Sequence, residues 1–220
     1  MKTDMAIVDH FNRWSEDLKT CTDMGARKAY FQQVFPGFLK ERTLFMPVLE
    51  SIVEGRLYPD VKYATMFESE VVLYRDPGRK FSVRFYLWGP GEYDPIHDHN
   101  SWGVIGTALG TLDVINYKRI DDGTDGRHAV IEETSRQFIP TGQTYSVFPL
   151  NRGIHRTGNA GEPAIIQVGV YGENLTGRSY VNVFDSRTGE VTRLYLPHVK
   201  KRMLAGKALD VLQTPSLEKP

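Results

Sequence analysis

The sequence predicts an all-β domain that carries a helical segment at its N-terminus. From about residue 68 onward, apolar and polar residues alternate over short stretches, as in KFSVRFYLW at residues 80–88, and this period of two is typical of strands with one buried face. Turn-forming segments such as DDGTDG and DSRTGE separate these stretches. Many short strands between such turns favour a sandwich or a barrel over an alternating α/β fold.

Residues 1–57 follow a helical period instead. Three stretches are predicted to be helical: AIVDHFNRWSEDLKTC, GARKAYFQQVFPGFLKER and MPVLESIVEGR. One apolar face of the first stretch is formed by Ile7, Phe11, Trp14 and Leu18. Such a stripe is typical of a helix that packs on a core. We expect Pro36-Gly37 to interrupt the second helix, and Pro47 to lie in the first turn of the third.

The remaining strand-like stretches are GTLDVINYK, HAVIEE, QTYSVF, AIIQVGVY, SYVNVF and EVTRLYL. Without an internal repeat or a low-complexity linker, one β domain with a helical cover is the simplest organisation. We therefore predict a helical segment at 1–57, a barrel at 58–210 and a loose tail at 211–220.

Composition excludes several classes of partner. The chain has 220 residues, 40% of them hydrophobic, and its 27 basic residues balance 27 acidic ones. No block of one charge is present, which argues against a nucleic-acid or anionic-membrane partner. Cys21 is the only cysteine, and no apolar run reaches the length of a membrane span. These features predict a cytoplasmic protein. We expect it to be a monomer or a small homo-oligomer, a choice that the sequence does not decide.

Three histidines form a candidate metal site. His97 and His99 lie in PIHDHNSWGVIGTALG, and His155 lies in NRGIHRTGN. On a strand, residues i and i+2 point to the same face, so the first two imidazoles would converge on one spot. Two such histidines could equally be half-buried core residues, and the third histidine favours a metal. Zinc and nickel would fit three imidazoles as well as iron does.

The two histidine segments resemble the two motifs of the cupins, which are small β-barrels that hold a metal near one mouth. The glutamate that usually follows the histidine pair is replaced by Gly103. Without that glutamate, the resemblance narrows to the thiol dioxygenases that act on cysteine or 3-mercaptopropionate. LWGPGEYDPIHDHNSWGVIGTALG, GIHRTGN and VYGENL are similar to that family's segments, and the resemblance covers about residues 68–185.

This resemblance implies a cupin double-stranded β-helix (jelly-roll) barrel with Fe(II) bound by His97, His99 and His155. The implied reaction adds both atoms of O2 to a small thiol to give a sulfinate, with Tyr171 as the active-site tyrosine. Two other functions stay open: a three-histidine cupin oxygenase that cleaves a C–C bond of a diketone or enol, and a non-catalytic cupin that binds a metal or a ligand. The family's thioether crosslink needs a cysteine near Gly103, so we expect no such cofactor.

Strand AIIQVGVY departs from the family. Gln167, Gly169 and Tyr171 share one face, where the resemblance implies serine, histidine and tyrosine. Gly169 removes an imidazole from the predicted pocket wall, so we expect a substrate bulkier than cysteine, with Gln167 available to hydrogen-bond its polar part. The alternative is that the glycine relieves crowding by Trp102 or another aromatic residue. Trp102 is included among the predicted substrate-binding residues.

Two charged residues are predicted to contact the end of the substrate that is remote from sulfur. Glu70 aligns with the position at which cysteine dioxygenases carry arginine, and it would attract an amine or an amide N–H. Arg178 lies near a carboxylate-binding arginine of the 3-mercaptopropionate enzymes. For each residue the alternative is an ordinary surface position.

Overall fold

The computed structural model describes residues 3–55 and 65–213. The predicted boundary between the helical segment and the barrel, at residues 57 and 58, lies outside the described residues. Among those described, no helix is long and apolar enough to cross a membrane.

The N-terminal part is helical, as predicted. Helix α1 spans Thr3–Asp17, α2 spans Met24–Lys40, and α3 spans Met46–Val53 after a short 3-10 turn. Asp23 caps α2, since its carboxylate accepts a hydrogen bond from the backbone N–H of Ala26 at 2.9 Å. Pro47 lies in the first turn of α3, where its missing N–H has no intrahelical partner to lose.

The predicted interruption at Pro36 is wrong. Helix α2 continues through that residue to Lys40. A proline in a helix interior removes one backbone hydrogen bond, and packing compensates here. Phe31, Phe35, Phe38 and Leu39 of α2 are all buried, so tertiary contacts stabilise both halves of the helix.

Ten strands follow. Their bounds are β1 Glu70–Arg75, β2 Phe81–Trp88, β3 Gly103–Leu109, β4 Thr111–Arg119, β5 Ile131–Pro140, β6 Thr144–Val147, β7 His155–Gly158, β8 Ile165–Gly172, β9 Tyr180–Phe184 and β10 Val191–Tyr195. The sheet orders are β1-β2-β8-β3-β6, β5-β4-β7 and β10-β9. All pairings between these strands are antiparallel.

The five-stranded and three-stranded sheets pack face to face. One buried cluster joins Trp88 and Ile105 of the larger sheet to Leu112, Val114 and Ile139 of the smaller one. This sandwich, with helices at its N-terminus, fits the predicted cupin architecture. The ladders among the described strands end at the sheet edges, so closure into a continuous barrel is not shown.

The opposite face of the five-stranded sheet packs on the helices. Phe81, Val83 and Phe85 of β2 lie in the same buried cluster as Phe11 and Trp14 of α1. Ile7 and Leu18, the other two residues of the predicted apolar face, are also buried in this cluster. The stripe in the first helix is therefore a core face, as predicted.

Residues Pro197–Gln213 form helix α4, which the sequence analysis did not predict. The predicted barrel segment includes the first part of this helix, but the strands end at Tyr195. The predicted tail begins inside the helix, and its residues 214–220 lie outside the described part of the chain.

Candidate metal centre and cavity

The histidine pair does not lie on a regular strand, so that part of the prediction is wrong. Pro95 lacks an N–H for a continuous ladder, and the backbone around it makes isolated bridges instead. His97 and His155 exchange both backbone hydrogen bonds, at 2.9 and 3.0 Å. The segment is extended all the same, and it is held against the first residue of β7.

The three predicted ligands converge, as the sequence analysis expected. One ring nitrogen of each of His97, His99 and His155 lies within 4.8 Å of the others, and all three residues are buried. The Nε2 atoms of His99 and His155 are 2.8 Å apart. These are the distances expected of donors that face one small central space.

Burial keeps two of these imidazoles neutral. It lowers the pKa of His99 and of His155 well below the usual value, and the neighbouring imidazoles lower each further. A neutral imidazole has a free lone pair, which is the form that binds a metal ion.

In His97 and His155, the nitrogen that faces away from the central space has a hydrogen-bond partner. Nδ1 of His97 donates to the carbonyl of Pro95 at 2.9 Å, and Nδ1 of His155 lies 3.1 Å from the hydroxyl of Tyr145. Such outer hydrogen bonds fix the ring orientation and the tautomer of metal-binding histidines. Tyr145 lies on β6, which the sequence analysis did not connect with the site.

This donor set fits a divalent transition metal such as iron, zinc or nickel. It is formed of three nitrogen atoms, two of its rings are held by hydrogen bonds from behind, and no carboxylate belongs to it. The described part of the chain therefore holds a three-histidine cluster that could bind a metal ion.

A cavity of about 340 Å³ opens beside His97 and His99. Apolar side chains from both ends of the β domain line part of its wall: Met66, Phe67, Val181, Leu196 and Val199. Its ionisable and hydroxyl-bearing residues come largely from one face of the five-stranded sheet: Glu70, Arg75, Ser82, Arg84, Tyr86 and Tyr171. This volume is at the lower end of the range for small-molecule pockets, about 300–1,000 Å³.

Arg84 lines the cavity, although it is not among the predicted site residues. It lies on β2, and its guanidinium forms an ion pair with the carboxylate of Glu70 on β1. Val72 of β1 is directly opposite Arg84, so Glu70 is its diagonal neighbour. The alternation in the sequence places Arg84 on the polar face of its strand. It does not identify Glu70 as the partner, because that depends on the register between two strands.

Glu70 is among the residues that line the cavity, but its side chain is fully buried. Its second carboxylate oxygen accepts from the backbone N–H groups of Met66 and Phe67, at 2.9 and 3.3 Å. Phe67 in turn packs its ring on His97, with centroids 4.9 Å apart. Glu70 thereby ties the segment that covers His97 to the sheet.

Arg178 also lines the cavity. Both of its terminal nitrogens donate to one carboxylate oxygen of Asp98, at 3.0 Å each. Asp98 is the residue between the two histidines of the pair, and it is buried. The contacts of Arg178 thus support the backbone of the histidine segment.

Tyr171 lies between the metal centre and Arg84. Its ring is nearly parallel to that of His99, with centroids 5.8 Å apart, and the guanidinium of Arg84 is 5.8 Å from its centroid. Burial raises the pKa of the Tyr171 phenol above its usual value. The hydroxyl is therefore a neutral hydrogen-bond donor at neutral pH.

Two glycines leave room for that ring. A methyl group on Gly103 would lie 2.9 Å from Cδ1 of Tyr171, and one on Gly169 would lie 2.5 Å from Cε2. The expected enlargement of the pocket at Gly169 is therefore a wrong prediction, because the Tyr171 ring fills the space. The alternative, that the glycine relieves crowding by an aromatic residue, is the one that fits, and the aromatic residue is Tyr171.

Gln167 and Trp102 lie away from the cavity lining. The side-chain oxygen of Gln167 accepts from Nε1 of Trp88 at 2.8 Å and from the hydroxyl of Thr157 at 3.2 Å. Trp102 is buried in the helix-facing core, where a methyl group on Gly172 would touch its ring at 2.2 Å. Both residues support the sheet that carries the site.

No protein-family model matches the chain. Three similar solved structures are a cupin-like protein of Thermotoga maritima, a conserved protein of Klebsiella pneumoniae with a double-stranded β-helix domain, and a Cupin 2 conserved barrel domain protein of Salinispora arenicola. Each is 15% identical to this chain; the TM-scores are 0.39, 0.37 and 0.36. The alignments cover 54%, 60% and 54% of this chain and 77%, 93% and 88% of those chains, respectively. These neighbours are described by their fold, and nothing in them is specific to thiol dioxygenases.

Proposed function

We propose that this protein is an Fe(II)-dependent thiol dioxygenase that oxidises a small thiol other than cysteine to a sulfinate. The overall reaction is R–SH + O2 → R–SO2H, in which both oxygen atoms end on sulfur and no separate reductant is consumed. The proposed partners are thus a small thiol and O2, and we propose that the protein acts in the cytoplasm as a monomer or a small homo-oligomer.

The observation that carries this proposal is the cluster of three buried imidazoles beside a small, partly apolar cavity. A metal site without a carboxylate ligand keeps the full positive charge of its ion, which favours a thiolate as an additional ligand. Fe(II) held by these histidines would supply the redox chemistry that lets O2 react with the sulfur of the substrate.

The protein's own residues would position the substrate. Tyr171 offers a neutral hydroxyl beside His99, where it can donate a hydrogen bond to a ligand in the cavity. Tyr86 and Ser82 add hydroxyl groups from β2 on the same face. Phe67, packed on His97, keeps one side of the centre apolar and limits the access of water.

The test is oxygen consumption by the Fe(II)-loaded protein over a panel of small thiols, with the sulfinate identified by mass spectrometry. We expect one molecule of O2 to be consumed for each molecule of sulfinate formed. His155→Ala should lose most of the bound iron and nearly all activity, since three ligands are close to the minimum for retention. The exposed His198 offers a matched control, and His198→Ala should keep both.

Other outcomes would contradict the proposal in distinct ways. Oxygen uptake with a diketone or an enol, and none with any thiol, would indicate an oxygenase that cleaves a C–C bond. Tight iron binding without turnover of either class would indicate a binding protein. Full iron content in the His155→Ala protein would mean that the ligand set is wrongly assigned.

A further inference from the structure

The cavity holds two arginines that each have a buried carboxylate partner. Arg84 pairs with Glu70, and Arg178 pairs with Asp98. Both carboxylates are almost completely inaccessible to solvent. At each of these positions the positive charge that faces the cavity is therefore already neutralised by the protein.

The surroundings of Glu70 leave no place for a cation. One of its carboxylate oxygens faces Arg84, and the other accepts two backbone N–H groups from Met66 and Phe67. An ammonium group would have to displace one of these donors, and it would then lie beside the guanidinium of Arg84. Like charges placed side by side in a site that excludes water repel each other strongly.

Binding of an anion is also unfavourable, because the carboxylate partners of the arginines would repel it. A carboxylate that binds Arg84 would lie next to the buried carboxylate of Glu70, which cannot turn towards water. Arg178 is held at both terminal nitrogens by Asp98 and at Nε by Asn100, at 3.0 Å. The third arginine of the lining, Arg75, is at the exposed end of β1 and takes part in an interaction of its own.

We infer that the thiol oxidised at this centre carries an uncharged polar group, such as an amide or a hydroxyl, at the end remote from sulfur. This inference rests on the proposed function. Such a group can both donate and accept hydrogen bonds, and the hydroxyls of Ser82, Tyr86 and Tyr171 line the cavity where it would bind. Neither ion pair needs to open for it.

The experiment compares 3-mercaptopropionamide and 3-mercaptopropionate, which are nearly equal in size and differ in charge, with 2-aminoethanethiol, a smaller thiol that carries a positive charge. For the Fe(II)-loaded protein we expect kcat/KM to be about tenfold or more higher for the amide than for either ion, the size of one charge-assisted contact. Equal or higher kcat/KM for the acid or the amine would overturn the inference, and this comparison needs no variant.

Glu70→Gln sharpens the test, because it removes the negative charge and leaves the guanidinium of Arg84 without its carboxylate. We expect this variant to prefer 3-mercaptopropionate over the amide, again by about tenfold. Glu16→Gln is a matched control, since Glu16 lies in α1 and forms an exposed ion pair with Lys19, just beyond the end of the helix, and it should keep the wild-type preference. An unchanged preference in Glu70→Gln would contradict the role given to the ion pair.

A second readout separates this inference from the proposed function. Anaerobic binding of the same three thiols to Co(II)-loaded protein, followed by sulfur-to-metal charge-transfer absorption, gives affinities that do not depend on turnover. If no thiol is oxidised but the amide still binds most tightly, the proposed function fails and the charge selectivity of the cavity stands. If thiols are oxidised and the acid binds most tightly, the function stands and this inference fails.

Discussion

The two faces of strand β2 are built from alternate residues of one stretch, and they have opposite chemistry. Phe81, Val83 and Phe85 pack on the helices, whereas Arg84 and Tyr86 face the cavity. The helix-facing side stabilises the domain through buried apolar area. The cavity-facing side contains a buried ion pair, an arrangement that adds little net stability. Its role is better explained by recognition of a ligand in the cavity.

The largest loss of stability that we expect from a single substitution is on the helix-facing side. Phe85 is fully buried and packs near Phe45, with ring centroids 6.3 Å apart. Phe85→Ala should lower the free energy of unfolding by about 3–5 kcal/mol, measured by urea denaturation. Ser82→Ala, on the cavity side of the same strand, should change it by less than about 0.5 kcal/mol. Equal losses in the two variants would refute the division between the faces.

A second prediction concerns the stability of the metal-free protein at low pH. Because the folded protein holds His99 and His155 with pKa values well below 6.5, the unfolded chain binds more protons once the pH falls below about 6.5. Stability of the metal-free protein is therefore full above that pH and is lost as the pH falls. Each histidine contributes up to about 1.4 kcal/mol per pH unit.

The measurement is urea denaturation of the metal-free protein at about pH 7 and about pH 5.5, where the two histidines together should cost up to about 3 kcal/mol. A variant with both His99→Asn and His155→Asn should lose most of this dependence. Equal acid sensitivity in the variant would place the responsible groups elsewhere in the chain.

The comparison of the two faces also shows what could be read from the sequence. The apolar stripe of α1 and the alternation of β2 depend on local periodicity, and both predictions are confirmed. The convergence of the three histidines was predicted from the resemblance of their segments, and in the structure His97 and His155 exchange both backbone hydrogen bonds. Helix α4 was not predicted although its residues are good helix formers, because its apolar residues do not form one buried stripe: Met203, Leu204 and Leu209 are all exposed.

What could not be predicted depends on which strands lie side by side. Arg84 and Glu70 are 14 positions apart, and Arg178 and Asp98 are 80 apart. Only the register of β1 on β2 and the fold of the segment around Arg178 bring these charges together. Residue types alone suggested that Glu70 and Arg178 were free to bind a substrate, whereas each has a partner within the protein.

The smallest effect we predict tests the contact between Gly169 and Tyr171. A methyl group at residue 169 would force the Tyr171 ring out of its place beside His99. Gly169→Ala should therefore lower the free energy of unfolding by about 1–2 kcal/mol, the lower part of the range for overpacking, since the ring can rotate into the cavity. In a Tyr171→Ala background the same substitution should cost much less, because the two residues are in direct contact.

Gly37→Ala in α2, where nothing lies within 4 Å of an added methyl group, is the control and should stabilise the protein by about 0.5–1 kcal/mol. If Gly169→Ala lowers the free energy of unfolding equally with and without the Tyr171 ring, the glycine is required by the backbone of β8, and the ring is held by other contacts.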